Sequence, residues 1–260
     1  MNQVSDVTLR GLLFEHNQVT LKGVGIALSI ICTWGISLIF CLSIDLSRAD
    51  YLSIGIYLLI QTFLCTGLFI TAHDAMHRSI APRFPGLNDR IGSLALFLYL
   101  FFPYKKLLKN HWLHHRHPAT DQDPDFHDGQ YTHPVLWYFN FVKRYFGWSQ
   151  VLGILVVYGM ATWLLRVPQT NLFLFWVLPS ILSSLQLFYF GTFLPHRELP
   201  TGYENRHRTR SNSLPTLLSF FSCYHFGYHE EHHEYPSIPW WQLAAIRRIR
   251  LQEIASNRQI

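Results

Sequence analysis

The sequence predicts an all-α integral membrane protein with four transmembrane helices and additional re-entrant or interfacial helices. Composition and patterning carry that expectation. Hydrophobic side chains make up 49% of the 260 residues and charged ones only 14%, with a mean hydropathy of +0.12. That balance is unusual for a water-soluble domain. The apolar residues also gather into long runs that do not alternate, and only helices or closed barrels satisfy their backbone polar groups within lipid. Disorder, collagen and coiled coil are excluded by the same composition.

Residues 23–44 form an uncharged run of 22, and residues 51–72 form a second in which Gln61 is the one strongly polar side chain. At 1.5 Å per residue each can cross a hydrocarbon core of about 30 Å. Residues 151–165, or 148–165 if Trp148 to Gln150 are counted, give a third span. Residues 172–194 give a fourth, with a kink expected at Pro179. Residues 91–103 and 214–226 are too short to cross and read as re-entrant or interfacial. The first 22 residues are polar and the first apolar run is full length, so no cleavable signal peptide is expected. Without repeats or low-complexity linkers, residues 1–260 read as a single membrane-bound domain.

Orientation follows from the loops. Residues 45–50 and 166–171 carry one basic side chain each, Arg48 and Arg166, of the 21 Lys and Arg in the chain. Basic residues near span ends stay on the cytoplasmic side, so the opposite face is expected to be cytoplasmic. A net charge of +5 and a pI near 9.1 fit contact with anionic lipid. Nucleic-acid binding would group basic residues without spans, and no nucleic-acid partner is expected. Cys32, Cys41, Cys65 and Cys223 form no CxxC pair, which argues against a disulfide framework and a thiolate cluster.

The 15 histidines are the unexplained feature. His73 and His77 stand in HDAMH, four apart, which puts both rings on one helix face. His73 falls about 33 Å along its helix from Tyr51, and His196 about 36 Å from Leu172, so both reach the cytoplasmic membrane face. His111, His114 and His115 form HWLHH between Pro103 and Pro118; His229, His232 and His233 form HEEHH, with His225 one turn earlier and Pro236 closing the segment. A lone pair of histidines on a helix is more often a solvated feature than a ligand pair. Three boxes at one face are hard to ascribe to chance. Neutral imidazole favours zinc, iron, copper or nickel, and so many ligands exceed the capacity of one ion. The expectation is a histidine-rich di-metal site at the cytoplasmic face, with His196 as a further ligand.

Nearby carboxylates at Asp74, Glu230 and Glu231 either brace the outer ring nitrogens or pair with surface cations. Bracing is expected for Asp74 and Asp125, and His225 is either a ligand or a brace. His16, His127, His133 and His207 read as ordinary loop residues. Asp121, Asp123 and Asp125 resemble a calcium loop but lack its Gly and distant Glu, so a capped turn near the site is expected. HEEHH also fits the zinc protease pattern through His229, Glu230 and His233, with Glu230 as base. That reading leaves the other two boxes without a role.

A metal pair at the membrane boundary can take a long apolar substrate directly from the bilayer. Attack on an unactivated C–H bond calls for dioxygen and a redox metal, of which iron is the natural candidate. A metal transporter would instead place ionisable residues within its spans.

The boxes resemble those of the membrane fatty acid desaturase and hydroxylase superfamily, whose members hold two irons. Within it, the chain resembles the bacterial beta-carotene ketolases more closely still, through FITAHDAMH (69–77), NHWLHHRHPATDQDPDF (110–126), LFYFGTFLPHR (187–197) and CYHFGYHEEHHEYPSIPWW (223–241). The likeness runs from about the first span to Leu243. It implies a di-iron oxygenase that converts the ring 4-methylene of beta-carotene to a ketone by two hydroxylations at one carbon and loss of water. Echinenone and canthaxanthin would be the products, with dioxygen as co-substrate and external reducing equivalents. Carried over by motif, His73, His77, His111, His114, His115, His229, His232 and His233 would be the catalytic metal ligands, joined by His196. The chain has neither a nucleotide-binding Gly fingerprint nor iron–sulfur cysteines, so a ferredoxin-like donor with its reductase is expected as partner. A carotenoid ring hydroxylase or a fatty acyl desaturase would share this metal site, and an intramembrane zinc metalloprotease is the alternative of another class. One departure is Arg78, where related ketolases commonly have Gly.

Overall fold

In the computed structural model, which describes residues 16–127 and 129–257, every regular element among the described residues is helical. Helices α1 (His16–Leu42) and α2 (Tyr51–Met76) form an antiparallel pair. Asp50 caps α2, accepting from the Ser53 backbone N–H at 2.9 Å and its hydroxyl at 2.6 Å, which satisfies one of the donors that a helix start leaves open. Helices α3 (Pro85–Leu100) and α4 (Tyr104–Arg116) meet at 102°, and α5 (Pro134–Tyr145) and α6 (Trp148–Trp163) at 81°. Then come α7 (Gln169–His196), α8 (Thr216–Cys223), α9 (His229–Glu234) and α10 (Trp240–Asn257).

Three of these helices, α1, α2 and α7, are long and apolar enough to cross a membrane, and each bent pair adds a further crossing if it counts as one span. The run expected as the third span is α6, which has 16 residues and follows the sharp break after α5. Residues 91–103 run along α3 into the turn before α4. There Phe101 takes the left-handed conformation at φ 60, and Pro103 starts the next helix in a new direction. The apolar run 214–226 holds only the eight-residue α8. Ile36, Ile39 and Leu59 stand 69%, 72% and 68% exposed on the outer faces of α1 and α2, an apolar girdle that suits lipid rather than water.

The interior is organised around α2, which packs on α1, α3 and α7. Leu68, Ile70, Trp176 and Leu187 sit in its main core. A seam of hydroxyls crosses this apolar interface: Thr66 donates to Gln186 Oε1 at 2.6 Å, and the Tyr99 hydroxyl donates to the Ser180 carbonyl at 3.3 Å. Such bonds between helices in lipid contribute roughly 1 kcal/mol each. Where a kink was expected at Pro179, α7 instead widens into a π-helical turn over Phe173–Val177, and a second over Tyr189–Phe193 precedes Pro195. A wider turn accommodates a proline ring and its missing N–H without breaking the helix.

The ends of the helices fix where chemistry can sit. The Asn171 side chain at the start of α7 donates to the carbonyls of Cys41 and Ile44 at 3.2 and 2.8 Å, so both short loops lie at one end of the bundle. At the other end, α2 and α7 deliver His73 and His196. His16 opens α1 rather than lying in a loop, and its side chain is outside the described part.

Candidate metal centre

Four separate stretches of chain supply the histidines. His73 lies in the last turn of α2, and His77 ends that helix. Arg78 then turns the chain away at φ 57, a left-handed conformation that an L side chain adopts at a cost and Gly does not. Helix α4 buries Tyr104, Leu107 and His114 on one face, which carries the HWLHH rings inward. His196 is in the last turn of α7. Before α9, Tyr224 and His225 are both left-handed, at φ 50 and 62, and this abrupt reversal aims HEEHH back at the bundle. Tyr224 is held there by stacking on Phe63, ring centroids 4.3 Å apart.

The rings converge into two groups. Ring nitrogens of His73, His77, His111 and His232 lie within 4.8 Å of one another, and so do those of His114, His196, His229 and His233. Individual Nε2 pairs are closer: His77 to His111 at 2.6 Å, His73 to His232 at 3.1 Å, and His114 to His233 at 3.1 Å. His115 sits between the groups, its Nε2 3.0 Å from that of His232 and its ring stacked on His233 with centroids 4.2 Å apart. Burial, reinforced by the neighbouring imidazoles, pushes the pKa of His229, His232 and His233 well below the ordinary histidine value. These rings are therefore neutral and keep a lone pair.

This donor set fits transition-metal ions. His196 Nδ1 donates to the Arg208 carbonyl at 3.1 Å, and a carbonyl can only accept, so Nε2 carries the lone pair. That Nε2 is buried without a hydrogen-bond partner and faces the rings of His114 and His229. A buried acceptor without a partner costs about 1–3 kcal/mol unless a ligand satisfies it. Nitrogens about 2.1 Å from a shared ion lie at most about 4.2 Å apart, so the observed groups need little closure.

The outer nitrogens are braced unevenly. His114 Nδ1 donates to Asp123 at 2.9 Å, and Asp123 also accepts from the backbone N–H groups of Ala119 and Asp125 at 2.9 and 2.8 Å. The expected capped turn is thus formed, and its centre is Asp123. Burial opposes ionisation of Asp123, but His114 outweighs it and holds the carboxyl below its ordinary range. Asp125 stands farther off, 3.9 Å from His114, and accepts from the Tyr145 hydroxyl; burial raises its pKa to about 6. Asp74 lies 3.4 Å from His73 Nδ1 and also accepts from the Trp240 backbone N–H at 3.0 Å.

Three residues weighed for the site lie outside it. His225 contacts Ser219 at 3.2 Å and stacks on Tyr228, with no ring contact to either group. The left-handed backbone at that position turns its side chain away from the cluster. Glu230 and Glu231 face α10 instead: Arg250 donates to Glu230 at 2.7 Å and, with Arg247, to Glu231 at 3.0 Å. A base aimed at Arg250 is misplaced for the zinc protease chemistry. His133 caps α5 through Val135, whereas His207 borders the site, 3.0 Å from Glu234 and with its ring 5.8 Å from that of His233.

Asp123 and the Arg247–Arg250 clamp escape a reading by sequence spacing. Asp123 is nine residues from its partner His114, across a turn, and the clamp joins two helices that only tertiary structure pairs.

A cavity of about 340 Å³ opens against the cluster, with His73, His111, His114 and His229 at one wall. Phe69, Met76, Phe102, Phe141 and Val142 make most of the remainder apolar. Gly191, in the second π-helical turn, also lines it. A Cβ at Gly191 would lie 2.0 Å from the Phe226 ring, so only Gly lets Phe226 pack between α7 and His73.

Comparison with known proteins agrees with this geometry. The family model for fatty acid desaturase matches residues 49–154 and 142–259. A beta-carotene ketolase of Paracoccus sp. (strain PC1) is 42% identical over 88% of this chain and 93% of its own length. A second, from Paracoccus sp. (strain N81106 / MBIC 01143), is 45% identical over 72% of this chain and 76% of its own. A zeaxanthin 4-ketolase of Chlamydomonas reinhardtii is 37% identical over 91% of this chain and 56% of its own. With both box-bearing halves matched and the histidines gathered in space, the chain belongs to the fatty acid desaturase family.

Proposed function

We propose that this protein is a beta-carotene ketolase, a single membrane-bound domain of four spans that uses two iron ions at its cytoplasmic face. The observation that carries the reading is the apolar cavity ending on His73, His111, His114 and His229. It supports a hydrocarbon ring held against the metal site. The similarity to named ketolases supports the choice of product over that of a ring hydroxylase or an acyl desaturase.

His73, His77, His111 and His232 would hold one ion, and His114, His196, His229 and His233 the other, with His115 between them. Bound iron, with dioxygen and electrons from outside, supplies the oxidising power that a methylene C–H bond requires. The chain's own residues do the rest. Phe69, Phe102 and Phe141 receive the ring from the bilayer and keep water out, while Phe226 fixes the cavity wall beside His73. Asp123 holds the His114 ring in the tautomer that directs Nε2 inward, and the Arg208 carbonyl does the same for His196.

The reaction balances as two successive rounds. In each, one C–H bond, one dioxygen, two electrons and two protons give one C–OH bond and one water. The second hydroxyl on the same carbon leaves as water to give the ketone. A separate ferredoxin-like donor with its reductase would supply the electrons, since the four cysteines are free and scattered.

Expression in cells that already make beta-carotene tests the proposal. Pigments that gain one oxygen and lose two hydrogens per ring are expected. Gain of oxygen alone would indicate a hydroxylase, and unchanged pigment beside newly unsaturated lipid a desaturase.

A further inference from the structure

We infer that the outer face of α4 is the docking surface for an acidic one-electron carrier protein. The inference rests on the oxygenase reading, which requires two external electrons per round. Along α4, Lys105, Lys109, Trp112 and Arg116 recur at i, i+4, i+7 and i+11, which places them in one stripe on a helix of 3.6 residues per turn. Lys105, Lys109 and Arg116 are exposed, and α4 contains no acidic residue. Ion pairs among the described residues engage Arg48, Arg206, Arg247 and Arg250, and leave these three cations unpaired. The opposite face of the same helix carries the HWLHH rings.

Trp112 joins the two faces. It is partly exposed, and its ring centroid lies 5.2 Å from that of His77 and 5.8 Å from that of His115. A carrier seated on the stripe is thus separated from the imidazole cluster by a single indole. At another near approach, beside His207, the cations are already engaged: Arg206 pairs with Glu234 at 2.8 Å, and Arg208 donates to the Ala119 carbonyl at 2.9 Å. Unpaired cations around an aromatic contact suit a partner with an acidic rim: the charges steer its approach and the indole sets its register. Each reduced carrier gives up one electron and leaves oxidised, so it docks twice per hydroxylation.

The test uses the full chain in nanodiscs of neutral phosphatidylcholine, with an acidic [2Fe–2S] ferredoxin as probe. For the wild type, affinity should fall as salt rises, because steering charges are screened over about 10 Å at 0.1 M. Combined Lys105→Glu, Lys109→Glu and Arg116→Glu should weaken binding at least tenfold while pigment oxidation driven by photoreduced viologen is unchanged. Trp112→Leu should lower ferredoxin-driven kcat by more than it raises KM for ferredoxin, with iron content unaltered. Equal ferredoxin binding by the charge-reversed and wild-type chains would overturn the inference. So would loss of binding to phosphatidylglycerol vesicles alone, which would assign the stripe to lipid. Absence of pigment oxidation with viologen, beside salt-sensitive ferredoxin binding, would count against the oxygenase reading and leave the surface standing.

Discussion

Around His114 and His196, the outer ring nitrogens are engaged by groups that can only accept, the Asp123 carboxylate and the Arg208 carbonyl. Around His73 and His77 they are not. Asp74 stands at the longer distance of 3.4 Å from His73, and Nδ1 of His77 is buried without a partner, as it also is in His229 and His233 of the other group, so the contrast rests on the braced rings of His114 and His196. The first arrangement fixes tautomer and ring direction before any ion arrives; the second leaves them to the ion. Outer hydrogen bonds of this kind are worth about 10–100-fold in metal affinity. The group that contains His114 and His196 should therefore hold a metal ion more firmly.

Removing a ligand that also contacts the ring between the groups should have the largest effect. His232→Ala takes a ligand from the looser group and also the neighbour of His115, so pigment oxidation should fall to background while the chain still accumulates in membranes. Wild-type product from that variant would break the comparison. Next comes the short helix behind both groups. Glu231 is fully buried, and Arg250 is one of its two cationic partners and also pairs with Glu230, so Arg250→Ala leaves the buried carboxylate to Arg247 and Ser211 and frees Glu230. About 3 kcal/mol of stability should be lost, seen as a lower Tm in detergent and reduced iron content.

Smaller and more pointed is Asp123→Asn, which should weaken iron retention by about 10–100-fold, against a lesser change for Asp74→Asn. Equal effects in a chelator titration would erase the distinction between the groups. Arg78→Gly should have the smallest effect. Relief of a left-handed L residue is worth about 1–2 kcal/mol and is partly offset by glycine's unfolded-state entropy, leaving a gain of about 0.5–1 kcal/mol by thermal unfolding.

How much of this was legible in the sequence depends on the range of the signal. The runs that became α1, α2 and α7 are set by lipid thickness, a local constraint on length and polarity, and they read directly. The box histidines do as well, because helical spacing gathers them within each box. Their division into two groups does not. His232 joins the rings of α2, whereas its neighbour His233 joins His196, a choice made by the direction in which α9 is turned. The reversal at Tyr224 and His225 sets that direction, and it also removes His225 from the cluster. The break at Phe101, in an apolar run that looks continuous, likewise depends on how α3 and α4 pack. Nothing in the spacing around Arg78 announces its left-handed φ of 57, which Gly would adopt without cost.

The most direct test is the metal content of the purified chain as a chelator is titrated in. Two irons per chain are expected, lost in two steps, with the firmer step weakened selectively by Asp123→Asn. About one zinc per chain and no iron would contradict this.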